Sequence, residues 1–328
     1  MSKSKAIRAK SSVFPAEKSQ SAVLILFTLF SSAALVNLPC LAQERHALTS
    51  QEIDARLKKN PKDPVALLAR AKVRTQAHMI SMAIEDYEAV LKMQPMNREA
   101  LEDCSKLNMS GRRWKAAVST FNALQKLAPR ADVFADGGDA KFQVKDYDGA
   151  ARDWKECNRM KPDVVGYIER AGFGCFLLGE WLQGAENFER AFEAPKTVWP
   201  LADAAFAQVG YGLSGKSDKQ TVLWQKIAAR KPADMDLFDG YVLDYMSGKI
   251  DAEALIKKRS ADPYYVAQSN FFIGFELASK GRTKEAIPYL QKCDIATWAP
   301  TDDFKFPLEA IAKRYVARIN SSTKQVSK

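Results

Sequence analysis

Two histidines and five cysteines are the residues of this 328-residue chain best suited to hold a metal or act as nucleophiles. His46 and His78 have no partner four positions on and no cysteine pair nearby, so neither shows the spacing that sets two imidazoles on one helical face around zinc. Cys104, Cys157, Cys175 and Cys293 are not spaced as ligands, and each falls on the apolar side of a helical pattern, where a thiol behaves as a small hydrophobe. In an oxidising compartment Cys157 and Cys175 are the pair that neighbouring elements would bring together as a disulfide. Gly172-Phe173-Gly174 lacks the preceding strand that a phosphate loop needs, and Asp136-Gly137-Gly138-Asp139 lacks the ligand spacing of a calcium loop. No motif sets nucleophile, base and oxyanion donor together. The expectation is no catalytic residue, no metal and no cofactor. The alternative is an enzyme, or an enzyme subunit, whose site lies in a groove and escapes motif reading.

Hydrophobic residues make up 47% and charged residues 27%, and the chain has only 16 Gly and 14 Pro, which is globular composition. The net charge of +10 is partly a property of one end. Residues 1–20 hold Lys3, Lys5, Arg8, Lys10 and Lys18 against Glu17, residues 22–38 run uncharged, and Cys40-Leu41-Ala42 offers a small-residue cleavage site. That order reads as a secretory signal, 1–42, with an uncleaved anchor through 22–38 as the alternative. Pro39 before Cys40 argues against acylation of the cysteine. Either way the rest is expected outside the cytoplasm, periplasmic or extracellular, touching a membrane only through the N-terminal segment. Without 1–42 the balance falls to 44 basic against 38 acidic residues with no block of like charge, so no nucleic-acid partner is expected.

The elements that must position any site are set by a repeat. Pro61, Pro95, Pro129, Pro162, Pro195, Pro232, Pro263 and Pro300 recur at 31–37 residues, mostly 33 or 34. A small-residue column keeps step: Ala71, Ser105, Gly138, Gly172, Gln208, Gly240, Gly274. A second stands twelve residues later: Ala83, Ala117, Ala150, Gly184, Gln220, Ala252, Ala286. Four further on stands a large apolar residue: Tyr87, Phe121, Trp154, Phe188, Trp224, Ile256, Leu290. Gly111, Gly179, Gly215, Gly248 and Gly281 mark turns between the small columns. Each unit is predicted as helix, short turn, helix, with small residues where backbones cross and a bulky knob one turn beyond. The prolines stop each second helix. The side-chain amides of Gln208 and Gln220, both in small columns, are expected to hydrogen-bond to each other, since a lone buried amide costs about 1–3 kcal/mol.

This pattern resembles the tetratricopeptide repeat family, most fully over 98–129, 131–162 and 165–195. The resemblance covers 64–300 and implies an all-α solenoid of about seven helical hairpins. The sixth unit, about 233–263, departs most, and Pro288 should kink or delay the last second helix. Capping helices are expected at 43–63, where Thr49 and Glu52 form a capping box, and at 301–319, where Phe306, Leu308, Ile311, Tyr315 and Ile319 share a face. The tail 320–328 reads as disordered.

In such arrays the first helices line a concave binding face. The expected lining is Glu99, Glu102, Asp103 and Lys106, then Asp132, Asp136 and Asp139, then Phe173, Phe176, Phe206, Phe271, Phe272 and Phe275, a groove that turns from acidic to aromatic. The competing reading buries the phenylalanines in close packing of the C-terminal units. The residues that clamp a chaperone's terminal carboxylate in cytosolic members are not recognisable. Asn270–Gly281 resembles the closing units of bacterial envelope adaptors that organise cell-wall hydrolases. The resemblance implies a non-catalytic adaptor for a partner protein or peptide, with an envelope enzyme as one such partner.

Overall fold

The computed structural model describes residues 48–230, 237–293 and 307–326. The segment 1–42, Pro232, Pro300 and Phe306 lie outside the described residues. Those described form sixteen helices and no strand. A capping helix α1 (Ser50–Lys59) opens the order. Seven hairpins follow: α2 (Pro64–Gln76) with α3 (Ile80–Met93), α4 (Arg98–Ser110) with α5 (Trp114–Leu127), α6 (Ala131–Gln143) with α7 (Tyr147–Met160), and α8 (Val165–Leu178) with α9 (Trp181–Glu193). Then come α10 (Pro200–Leu213) with α11 (Ser217–Ala229), α12 (Leu237–Met246) with α13 (Ala252–Lys258), and α14 (Pro263–Ser279) with α15 (Thr283–Gln291). Helix α16 (Leu308–Val326) closes the chain, so 320–326 continue a helix instead of forming a disordered tail.

Local sequence sets the helix ends. Thr49 and Glu52 form the capping box of α1, with Glu52 accepting from the Thr49 backbone at 2.8 Å. Every hairpin turn carries one left-handed residue: His78, Arg112, Lys145, Gly179, Gly215, Gly248 and Gly281, with φ between 55° and 79°. The residue after each donates its N–H to a carbonyl five positions back, as Asp146 does to Lys141 and Glu180 to Cys175, which ties off the last carbonyls of the first helix. Gly111, expected as a turn glycine, keeps φ −81°, and Arg112 takes the left-handed place. The closing geometry is common to all seven hairpins although only four use glycine there.

The small columns are buried because the knob needs their space. A Cβ on Gly138 would sit 2.5 Å from Trp154, one on Gly172 2.8 Å from Phe188, and one on Gly274 2.6 Å from Leu290. The two columns also face each other: a Cβ on Gly138 would be 3.2 Å from the carbonyl oxygen of Ala150. Tyr87, Phe121, Trp154, Phe188 and Leu290 are buried, whereas Trp224 and Ile256 are only half-buried. In the fifth hairpin Gln208 donates to the backbone carbonyl of Gln220 at 3.1 Å, and Gln220 to that of Gln208 at 3.0 Å. The two amides thus satisfy each other's main chain, not each other's side chain. The sixth hairpin is the irregular one: α13 has seven residues and Gly240 meets no atom within 4 Å. Helix α15 contains Pro288 and runs nine residues.

The core is distributed unevenly. The first three hairpins hold three small apolar clusters, whereas one large cluster runs from Ala150 on α7 to Ala312 on α16. Helix α14 packs on α10 as well as on α15, and α16 packs back against α8. Tyr315 meets the rings of Phe275 at 5.0 Å and Trp181 at 5.6 Å. Arg314 and Arg318 each donate to the Leu177 carbonyl at 2.9 Å, placing two cations at the C-terminal end of α8, where the helix dipole favours them.

Two glycines of one column should therefore respond with opposite signs. Gly172→Ala drives a methyl into Phe188 and is expected to destabilise the chain by about 1–3 kcal/mol. Gly240→Ala meets open space and gains helix propensity, raising stability by up to about 1 kcal/mol. Urea denaturation followed by circular dichroism measures both.

Candidate functional site

The expected groove residues divide at α8. On α4 and α6 the acids do face outward, yet neighbours neutralise most of them. Glu99 pairs with Lys72 of α2, one hairpin back. Glu102 takes Arg98 at 2.9 Å and Arg130 at 2.7 Å, and Arg130 also reaches Asp132 at 3.2 Å. Arg130 holds both carboxyls below their usual range. Asp103 accepts from the Tyr87 hydroxyl at 3.0 Å. Asp139 accepts from the indole of Trp154 at 2.8 Å and from Arg170 of α8 at 2.9 and 3.2 Å. The first-helix face of these hairpins is thus a lattice of cross-repeat ion pairs with mixed charge, and Lys106 stands exposed on it.

Asp136 is the exception. It is half-buried between Asp132 and Asp139 on its own helix, with Lys106 and Arg170 on the flanking ones, and no hydrogen bond reaches it among the described residues. Burial, then the neighbouring Asp139, pushes its carboxyl up to about 6, while Arg170 and Lys106 pull the other way. Glu169 on α8 is raised by burial as well.

The aromatic half of the expected groove does not exist as a surface. Phe173, Phe176, Phe206, Phe271, Phe272 and Phe275 are all 0% exposed. They form one ring cluster, with Phe173–Phe206 at 5.0 Å, Phe206–Phe271 at 5.8 Å and Phe271–Phe275 at 4.5 Å. The cause is that α14 covers α10 and α16 covers α8, so helices that would line a hollow face protein on both sides. The sequence carried a usable signal: Phe271–Leu277 has a single polar residue, Glu276, too little for a polar face at helical spacing, and a helix apolar nearly all round is buried.

The cysteines are the small buried hydrophobes expected, and the alternative Cys157–Cys175 disulfide does not form. Cys157 and Cys175 are free and buried, Cys157 donating to the Trp154 carbonyl at 3.1 Å and Cys175 lying 3.6 Å from Gln183 Oε1. Burial pushes both thiols up to about 12, which leaves them unreactive. His78 occupies the left-handed turn position and is exposed. Among the described residues no group of histidine, cysteine and carboxylate side chains could hold a metal ion, and no helix is long and apolar enough to cross a membrane.

What sequence reading missed is a buried polar column between the helices of a hairpin. Asp86 accepts from Arg70 at 2.7 and 2.9 Å and from Arg74 at 2.7 Å, and Asp153 from Lys141 at 2.5 Å. The donor and acceptor stand twelve residues apart in Arg74–Asp86 and Lys141–Asp153, in step with the small columns, and that register could have revealed them.

Hairpin order, the seven matched turns and the paired small columns define the class: an all-α solenoid of tetratricopeptide-type repeats. No family model matches the chain and no curated protein does. Solved structures of similar fold include a tetratricopeptide repeat protein from Parabacteroides merdae, 14% identical, covering 77% of this chain and 98% of that one at a TM-score of 0.49. YrrB, described as a TPR protein with an unusual peptide-binding site, is 13% identical over 53% of this chain and 89% of its own, at 0.45. MamA is 17% identical over 50% and 88%, at 0.43. These scores are low, and the class rests on the chain's own packing.

Because its carboxyl sits above the unfolded value of 3.8, Asp136 binds its proton more tightly in the folded chain. The contribution of Asp136 to stability is therefore expected to fall as pH rises from about 4 to about 6 and to stay level above that, against the rise from carboxyls such as Glu102 that are held low. Asp136→Asn removes the loss. It should match the parent near pH 4 and exceed it at pH 7 by on the order of 1 kcal/mol, since a tenfold change in proton affinity is worth about 1.4 kcal/mol before solvent screening is discounted. Thermal unfolding at the two pH values checks this.

Proposed function

We propose that this chain is an extracytoplasmic, non-catalytic scaffold that docks a partner protein or peptide on the first-helix face of its N-terminal hairpins. The observation that carries the reading is the division of the array. The later first helices are covered by the chain's own α14 and α16, while α2, α4 and α6 keep a charged face with Glu99, Lys106 and Asp132 exposed. A lattice of paired charges favours orientation and selectivity over raw affinity, and suits a segment carrying both signs. The basic, apolar and small-residue order of 1–42 supports export, and an envelope enzyme is the partner class that such a location suggests.

A second reading has one observation in its favour. A half-buried carboxyl near 6, as at Asp136, lies where a general acid or base would operate, so an enzyme or enzyme subunit with a site in this face is the alternative.

The test is affinity purification of the full chain from envelope extract, followed by titration of the captured partner. Glu99→Lys with Asp132→Lys is expected to weaken binding about tenfold or more while circular dichroism stays unchanged. A turnover that survives those changes and dies on Asp136→Asn would replace the scaffold reading with the enzyme. The mass of the chain recovered from the envelope fraction should lack residues 1–42; an intact N-terminus there means anchoring instead.

A further inference from the structure

The early hairpins share one sequence register, and one buried column changes character along the array. In the third hairpin Asp153 on α7 accepts from Lys141 on α6 at 2.5 Å and from Gln125 on α5 at 2.8 Å. Gln125 lies over Gly137, where a Cβ would come 2.5 Å from its amide nitrogen. One carboxylate therefore bridges α5, α6 and α7 and closes the groove between the two second helices. In the fourth hairpin the matching positions of Gln125, Gly137, Lys141 and Asp153 are Asn158, Ala171, Cys175 and Asn187. The bridging carboxylate is gone. Arg159 turns to Glu156 on its own helix, at 2.7 and 2.8 Å, and a cleft of about 690 Å³ opens between α7 and α9 with α8 as its floor.

The chemistry of this cleft is specific. Its floor is uncharged, made by Ala171, the protonated Cys175 thiol and the side chain of Asn187. Its rim carries Arg152, Lys155, Arg159 and Arg190 against Glu156 and Glu180, two positive charges in excess. Lys155 pairs with Glu180 at 2.7 Å, Arg190 donates to Asn187 Oδ1 at 3.2 Å and to the Pro162 carbonyl at 2.8 Å, and Arg152 is exposed. Asn158 lines the same cleft, and its Oδ1 is buried and accepts no hydrogen bond among the described residues. An orphan acceptor asks for an N–H, while the missing carboxylate and the surplus cations ask for an anion. A peptide supplies both, and a small inorganic anion supplies only the second.

We propose that this cleft, on the second-helix side of the array, is a second binding site that takes an acidic peptide segment. A ligand Asp or Glu pairs with the exposed guanidiniums of Arg152 and Arg159 on the rim, and a ligand main-chain N–H donates to Asn158 Oδ1. The site shares no residue with the first-helix face and stands independently of the docking proposed there.

The test is fluorescence anisotropy of a labelled hexaglutamate peptide titrated with the full chain, with hexalysine and citrate as comparison probes. Saturable binding of hexaglutamate is expected, and none of hexalysine. Arg152→Glu with Arg159→Glu, both on exposed side chains, should weaken it about tenfold or more. Cys175→Lys with Asn187→Asp, which rebuilds the third hairpin's ion pair inside the cleft, should do the same. Glu99→Gln with Asp132→Asn, on the other face, should change it less than about twofold. Unchanged affinity in the Arg152→Glu, Arg159→Glu chain with its circular dichroism intact would overturn the proposal, as would binding of citrate without binding of the peptide.

Discussion

Five of the seven hairpins close by the same contact: a bulky side chain on the second helix enters a space that the first helix leaves by carrying glycine, alanine or serine. The fit of Trp154 on Gly138 and of Phe188 on Gly172 brings two backbones close enough that a single added methyl would collide. Close packing of this kind tolerates little change in volume, so the contact fixes both the crossing of the helices and the length of the turn between them. The turns follow from it. With the crossing set, the chain must reverse through one left-handed residue, and His78, Arg112 and Lys145 adopt that conformation as Gly179 and Gly281 do. Where the contact is weak, at Gly240 and Ile256, the hairpin shortens and its knob is left half-buried.

Stacking identical contacts would give a uniform array, but this chain uses its two ends differently. Its first three hairpins bury small separate clusters and spend their first-helix face on cross-repeat ion pairs. Its last hairpins collapse onto α8 and α10, and α16 anchors the collapse through Tyr315 and the two guanidiniums on the Leu177 carbonyl. Burial of six phenylalanines there is a stability device. A ligand groove must stay open, and apolar helices with no polar face cannot leave one open in water.

The polar column inside the hairpins has the opposite logic. A buried carboxylate with two donors, as at Asp86 and Asp153, is tolerated because every partner is in place. Replacing the carboxylate by Asn187 and the lysine by Cys175 removes the bridge without unbalancing a buried charge, and the short Cys175 side chain leaves room beside Asn187 on the floor of the cleft. Loss of a bridge in one repeat of an otherwise regular array is how a surface becomes particular without a change of fold.

Proline spacing, the two small columns and the knobs were enough to read seven helical hairpins and their order, and Thr49 with Glu52 to read the capping box, whereas Gln208 and Gln220 bond each other's backbone and not each other's amide. The hairpins and the cap are local or repeat with a fixed register, so the chain states them directly. The surface was read less well. Glu99 and Glu102 share one helix face because a helix places residues three and four apart side by side. Their neutralisation by Lys72 and Arg130 depends on how one hairpin sits on the next. The fate of the phenylalanines was decided by α14 packing on α10 and by α16 folding back on α8, the latter a contact across about 140 residues. Periodicity carries no record of such long-range closure, because the same apolar face serves equally to line a hollow or to fill one.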